Sequence, residues 1–144
     1  METAASAFAT ASQESRQRSD YGIMRGMEKL AADVRGKLVL VFPAYEPTAA
    51  LASLVAALSP QFRAVVVVDD GSRRAESRAV FDAVARTPGV RLLRHAENRG
   101  KGAALKTAFA AVQRDFPDAG GVVTADADGQ HLAEDILRVT DSGR

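Results

Sequence analysis

"VVVVDDGS", residues 65–72, carries the reading of the fold. Four β-branched residues in a row show no alternation of polar and apolar positions. A strand of this kind has both faces covered, as in a parallel sheet flanked by helices. Asp69 and Asp70 then close the strand, and Gly71 and Ser72 make the turn at its carboxyl end. Three further short apolar runs stand at residues 38–42, 90–93 and 122–124. Each is β-branched or Leu-rich, and each is read as a strand buried on both faces.

Helical patterns occupy the intervals, at residues 49–58, 74–86 and 101–116. The last places Ala104, Leu105, Ala108, Phe109 and Val112 on one stripe. Pro60, Pro88 and Pro117 fall just beyond these helices, where proline can stop them. Strict alternation of strand and helix predicts an α/β fold, a Rossmann-like parallel sheet with helices on both faces. Right-handed crossovers and a ligand crevice between the first and fourth strands predict the order three-two-one-four. That order puts residues 122–124 at an edge, and an uncovered apolar edge invites self-association. Residues 1–36 are Ala- and Ser-rich with alternating charge, and read as a poorly ordered leader with one helix around residues 25–34.

The 144 residues fit one domain, and with 47% apolar and 26% charged residues the chain can bury a core. A net charge of +1 offers no field for nucleic acid or an anionic membrane. The absence of Cys removes disulfides, thiolate zinc sites and Cys nucleophiles. No apolar stretch nears the ~18 residues of a membrane span. Nor is there a basic-then-apolar signal pattern at the N-terminus. The expected location is cytoplasmic, peripheral at the inner membrane face where a partner holds it there.

In open parallel sheets ligands bind beyond the carboxyl ends of the strands. All four runs end in charged or turn-forming residues, so one rim concentrates the chemistry. After the fourth comes "ADADGQ", residues 125–130. Asp126 and Asp128, one residue apart, can share a hard divalent cation, with Gln130 as a neutral oxygen donor. The plain alternative is a solvated strand-to-helix turn in which one Asp caps the helix. An EF-hand is excluded, because His131 and Leu137 stand where its Gly and Glu belong. After the second run, Asp69 and Asp70 either accept from a nucleoside or merely shape an Asx turn. "NRGKG", residues 98–102, brings Arg99 and Lys101 to a helix start that can face an anion. It is neither a P-loop nor a dinucleotide fingerprint. Tyr45 and Glu46 follow the first run, where Tyr45 could stack on a base and Glu46 accept a hydrogen bond.

Taken in order, "VFPAYEP", "VVVVDDGS", "NRGKGAAL" and "ADADGQH" resemble the nucleotide-binding half of family-two glycosyltransferases with the GT-A fold. The likeness runs from about Lys37 to Val139, and is to polyprenyl-phosphate sugar transferases of the dolichol-phosphate mannosyltransferase type. The resemblance implies that Asp126, Asp128 and Gln130 hold Mg2+ or Mn2+ against the diphosphate of a nucleotide-sugar. It implies that Asp70 reads the base, that Pro43, Ala44, Tyr45 and Glu46 line the nucleoside pocket, and that Gly100, Lys101 and Gly102 lie beside it. Transfer to an acceptor such as a polyprenyl phosphate follows for the whole enzyme, and no catalytic base is identified. A phosphate acceptor, already ionised, needs none.

Two departures stand out. The family's usual Pro-Ala-Tyr-Asn-Glu is here Pro-Ala-Tyr-Glu-Pro, so the acid falls one place early. The chain ends at Arg144, where the acceptor half would begin, so residues 37–144 read as a partial, truncated domain. A non-catalytic nucleotide-sugar-binding remnant or regulatory module is the alternative this leaves open. An aspartate-nucleophile phosphatase is the distant one, since its Asp-X-Asp-Gly sits at the first strand and is followed by Thr or Val.

Overall fold

The computed structural model describes residues 13–127 and 133–141. The elements run α1 (Gln13–Arg35), β1 (Leu38–Ala44), α2 (Ala50–Leu58), a 3-10 turn (Ser59–Gln61), β2 (Ala64–Asp69), α3 (Ala75–Ala85), β3 (Val90–Arg94), α4 (Lys101–Asp115), β4 (Gly121–Thr124) and α5 (Ala133–Asp141). The four strands are parallel in the order β3-β2-β1-β4, as expected from the crossover rule.

Side-chain alternation divides the core into two layers. On one face Leu40, Phe42, Val65 and Val67 meet Leu51, Val55 and Leu58 of α2, Phe81 and Val84 of α3, and Ile136 of α5. On the other Val39, Val41, Val66 and Val68 meet Ala104, Ala108 and Val112 of α4. All four valines of residues 65–68 are fully buried, each stabilising the fold by roughly 1.5–3 kcal/mol relative to exposure. Their unbroken β-branched run is thus explained: β2 is an interior strand with helices on both sides.

Three expectations are corrected. Burial on both faces holds only for β1 and β2. The edge strands β3 and β4 hold only half-buried and exposed positions, with Arg91 and Arg94 the exposed ones on β3. The buried stripe of α4 is Ala104, Ala108, Ala111 and Val112, while Phe109 is 40% exposed. Small residues in that stripe let the helix lie close on the valine surface, and Phe109 falls to its rim. The helix expected around residues 25–34 extends over Gln13–Arg35 and packs beside α5. Among the described residues no helix is long and apolar enough to cross a membrane.

Candidate functional site

The carboxyl ends of β1, β2 and β4 open onto a cavity of about 410 Å3. β1 contributes Pro43, Ala44, Tyr45 and Glu46, β2 contributes Asp70, the start of α4 contributes Gly100 and Lys101, and the exit of β4 contributes Asp126. Eight of the residues singled out in the sequence therefore share one wall-to-wall space. Gly102 does not line it, lying instead within the first turn of α4. Asp128 and Gln130 lie outside the described residues.

The turn after β2 is built by its own side chains. Asp69 Oδ1 accepts from Ser72 N–H at 2.9 Å, the Asx-type turn that Asp-Gly-Ser favours. Gly71 has φ +79°, and a Cβ there would stand 2.3 Å from Asn98 N and 2.3 Å from the carbonyl carbon of Glu97. Only glycine lets this turn lie against the loop that leads into α4.

Asp70 joins these two segments. Its carboxylate accepts from Arg99 N–H at 2.9 Å and His95 Nδ1 at 2.7 Å on Oδ1, and from Gly100 N–H at 2.9 Å on Oδ2. Burial pushes its acidity towards the neutral form, but the bonds from Arg99, His95 and Gly100 outweigh that and hold it below the ordinary carboxylate range. Asp70 is therefore an ionised, buried group whose acceptors are mostly taken by the protein. His95, not among the residues singled out in the sequence, spans with its ring from Asp70 to Thr107 Oγ1, 2.8 Å from Nε2. Its only signal was a histidine placed at a strand's carboxyl end.

Glu46 lines the cavity, yet its carboxylate is engaged at the N-terminal end of α3. It accepts from Arg73 N–H at 3.0 Å, Arg74 N–H at 3.3 Å and Ser77 Oγ–H at 2.7 Å. α3 has no capping side chain of its own, so Glu46 caps it from a distance. The Ser77 bond leads in lowering the Glu46 pKa, with the Arg73 N–H behind it. Glu46 also adopts φ 49°, held by its N–H on Ser72 Oγ at 2.8 Å. Acid one place early in this motif thus has a structural role: it ties the β1 exit to the β2 exit. Tyr45, just before it, leaves its side chain 54% exposed over the cavity.

Lys101 Nζ lies 2.9 Å from Asp126 Oδ1, with both side chains partly exposed. Asp126 offers a hard oxygen at a place that already accommodates a cation, which fits a divalent ion in kind. Among the described residues no group of three or more metal-capable side chains occurs. Gly100, with φ +98°, starts α4 and turns its N–H to Asp70.

Uncharacterized protein MJ1222 of Methanocaldococcus jannaschii is 32% identical over 106 residues, covering 73% of this chain and 41% of its own length. The chain thus spans less than half of that relative. A solved structure of the mannosyltransferase PcManGT from Pyrobaculum calidifontis, in complex with GDP-Man and Mn2+, is similar at 25% identity and a TM-score of 0.44. The similarity covers 53% of this chain and 24% of that one. The glycosyl transferase family 2 profile matches residues 39–142, nearly the whole span from β1 to the end of α5, and the chain belongs to that family.

Proposed function

We propose that the cavity binds the nucleotide part of a nucleotide-sugar donor, and that the whole protein transfers the sugar to an acceptor such as a polyprenyl phosphate. The observation that carries this reading is the convergence of Tyr45, Asp70, Lys101 and Asp126 on one cavity at the carboxyl rim of the sheet. Each suits one part of such a donor. The exposed ring of Tyr45 offers a stacking face for a base. Asp70, kept ionised, accepts from a base N–H. Lys101, at the start of α4, supplies a positive charge for the diphosphate at the positive end of that helix. Asp126, together with Asp128 and Gln130, would hold Mg2+ or Mn2+. Such an ion neutralises charge on a departing diphosphate.

Calorimetric titration of the chain with UDP, GDP and ADP, with and without Mn2+, tests the reading. Micromolar binding that strengthens with Mn2+ is expected. Failure of all three to bind under either condition would remove it.

A further inference from the structure

We propose that His95 is a positioning residue for base recognition: its ring fixes Asp70 so that one carboxylate oxygen faces the base. This rests on the donor-binding reading above.

The geometry is confined and buried. His95 is the first residue beyond β3, and its backbone N–H bonds to Asp69 O at 2.9 Å, which sets the ring beside β2. The side chains of His95 and Asp70 are 6% and 5% exposed. A carboxylate has about four acceptor positions, two on each oxygen. On Oδ1 both are filled, by His95 Nδ1 and by Arg99 N–H. On Oδ2 one is filled, by Gly100 N–H. The remaining position belongs to Oδ2, and Asp70 lines the cavity.

The backbone donors of Arg99 and Gly100 hold one oxygen each, and the buried ring adds a third restraint on the carboxylate, supplied by a side chain. The ring itself cannot turn freely, because Thr107 Oγ1 engages its far nitrogen from the second turn of α4. Thr107, His95 and Asp70 form a continuous relay of hydrogen bonds from α4 to the rim. The relay sets which oxygen is open, and hence which base edge is accepted. A histidine placed only to hold β3 against α4 would need Thr107 but not the carboxylate.

Two substitutions separate these roles. The amide nitrogen of asparagine stands close to where Nδ1 stood, and that of glutamine close to where Nε2 stood. His95→Asn keeps the bond to Asp70, and His95→Gln keeps the bond to Thr107. Calorimetry with UDP, GDP and ADP gives the base preference of each variant, thermal unfolding gives its stability, and inorganic pyrophosphate serves as the base-free probe. The preference should survive within about threefold in His95→Asn and fall at least about tenfold in His95→Gln, with pyrophosphate affinity unchanged in both. Preference retained in a folded His95→Gln overturns the proposal. So does a wild-type chain that binds all three nucleotides equally, since no base-reading carboxylate is then at work. Failure of every nucleotide to bind overturns the donor-binding reading itself.

A second measurement needs no folded variant at position 95. The chain has two histidines, so the His131→Asn protein leaves a single imidazole to follow by NMR. The His95 ring N–H signal should move when the preferred nucleoside diphosphate is added and stay in place with pyrophosphate. A signal that ignores the base overturns the proposal.

Discussion

Lys101 Nζ and Asp126 Oδ1 are 2.9 Å apart, joining the N-terminus of α4 to the carboxyl end of β4 across the mouth of the cavity. The pair places a positive charge where an anionic ligand would arrive and a carboxylate where a cation would. Both side chains are partly exposed, so the pair itself contributes only ~0–1 kcal/mol to stability. Lys101→Met should therefore leave urea denaturation nearly unchanged. Nucleoside-diphosphate affinity should fall by about tenfold, the loss of one charge-assisted bond. Unchanged affinity in calorimetry would place Lys101 outside the site.

Asp126 provides the test of the metal. Mn2+ should raise the affinity for GDP or UDP in the wild-type chain. Asp126→Asn should remove that increment while the circular dichroism spectrum stays the same. An increment that persists in the variant would move the ion away from β4.

Acid should weaken the fold through Asp70 and Glu46. Both are held below their ordinary values in the folded chain. Between the unfolded and folded values the unfolded chain binds more protons, so stability falls as pH falls. The contribution is complete above about pH 4.5 and is lost as pH drops through the lowered values. Denaturation midpoints at pH 6, 4 and 3 should show this decline. In Asp70→Asn the decline should be shallower, with lower stability at pH 6. An identical slope in variant and wild type would refute the assignment.

Two glycines should respond in opposite directions. Gly71→Ala drives a Cβ into the backbone of residues 97 and 98 and forces an L side chain into positive φ. A loss of at least about 2 kcal/mol is expected, or failure to fold. Gly102 lies in α4 with nothing within 4 Å of an added Cβ. Gly102→Ala should stabilise by about 0.5–1 kcal/mol through helix propensity. Thermal or urea denaturation of both variants decides the matter.

The edge strand β4 leaves Val122 38% exposed beside a sheet side with no partner strand among the described residues. Concentrated solutions of the chain should self-associate through that edge. Val122→Lys should shift the chain towards monomer in light scattering with little change in stability. Equal association in both proteins would locate the contact elsewhere.

Much of the architecture was legible because its causes are local. An unbroken Val65–Val68 run can be satisfied only between two helical layers, and alternating strands and helices with right-handed crossovers leave few strand orders. Turn chemistry at strand ends likewise placed the cavity on one rim, and eight candidate residues do meet there. The stripe of α4 was read one side too wide because Phe109 is apolar in composition, while closeness to the sheet selects Ala104, Ala108 and Ala111.

By itself the sequence determined the α/β class, the strand order and the rim that carries the polar residues, since periodicity and turn propensity act over a few positions. Only the tertiary structure decided which polar groups answer one another. Asp70 meets His95 across 25 positions, and Glu46 meets the start of α3 across 27 and more. Such pairs exist because β1, β2 and β3 lie side by side and bring their exits within hydrogen-bond reach. Hydrogen bonds need atoms within about 3 Å, and no pattern along the chain encodes that distance until the sheet has formed.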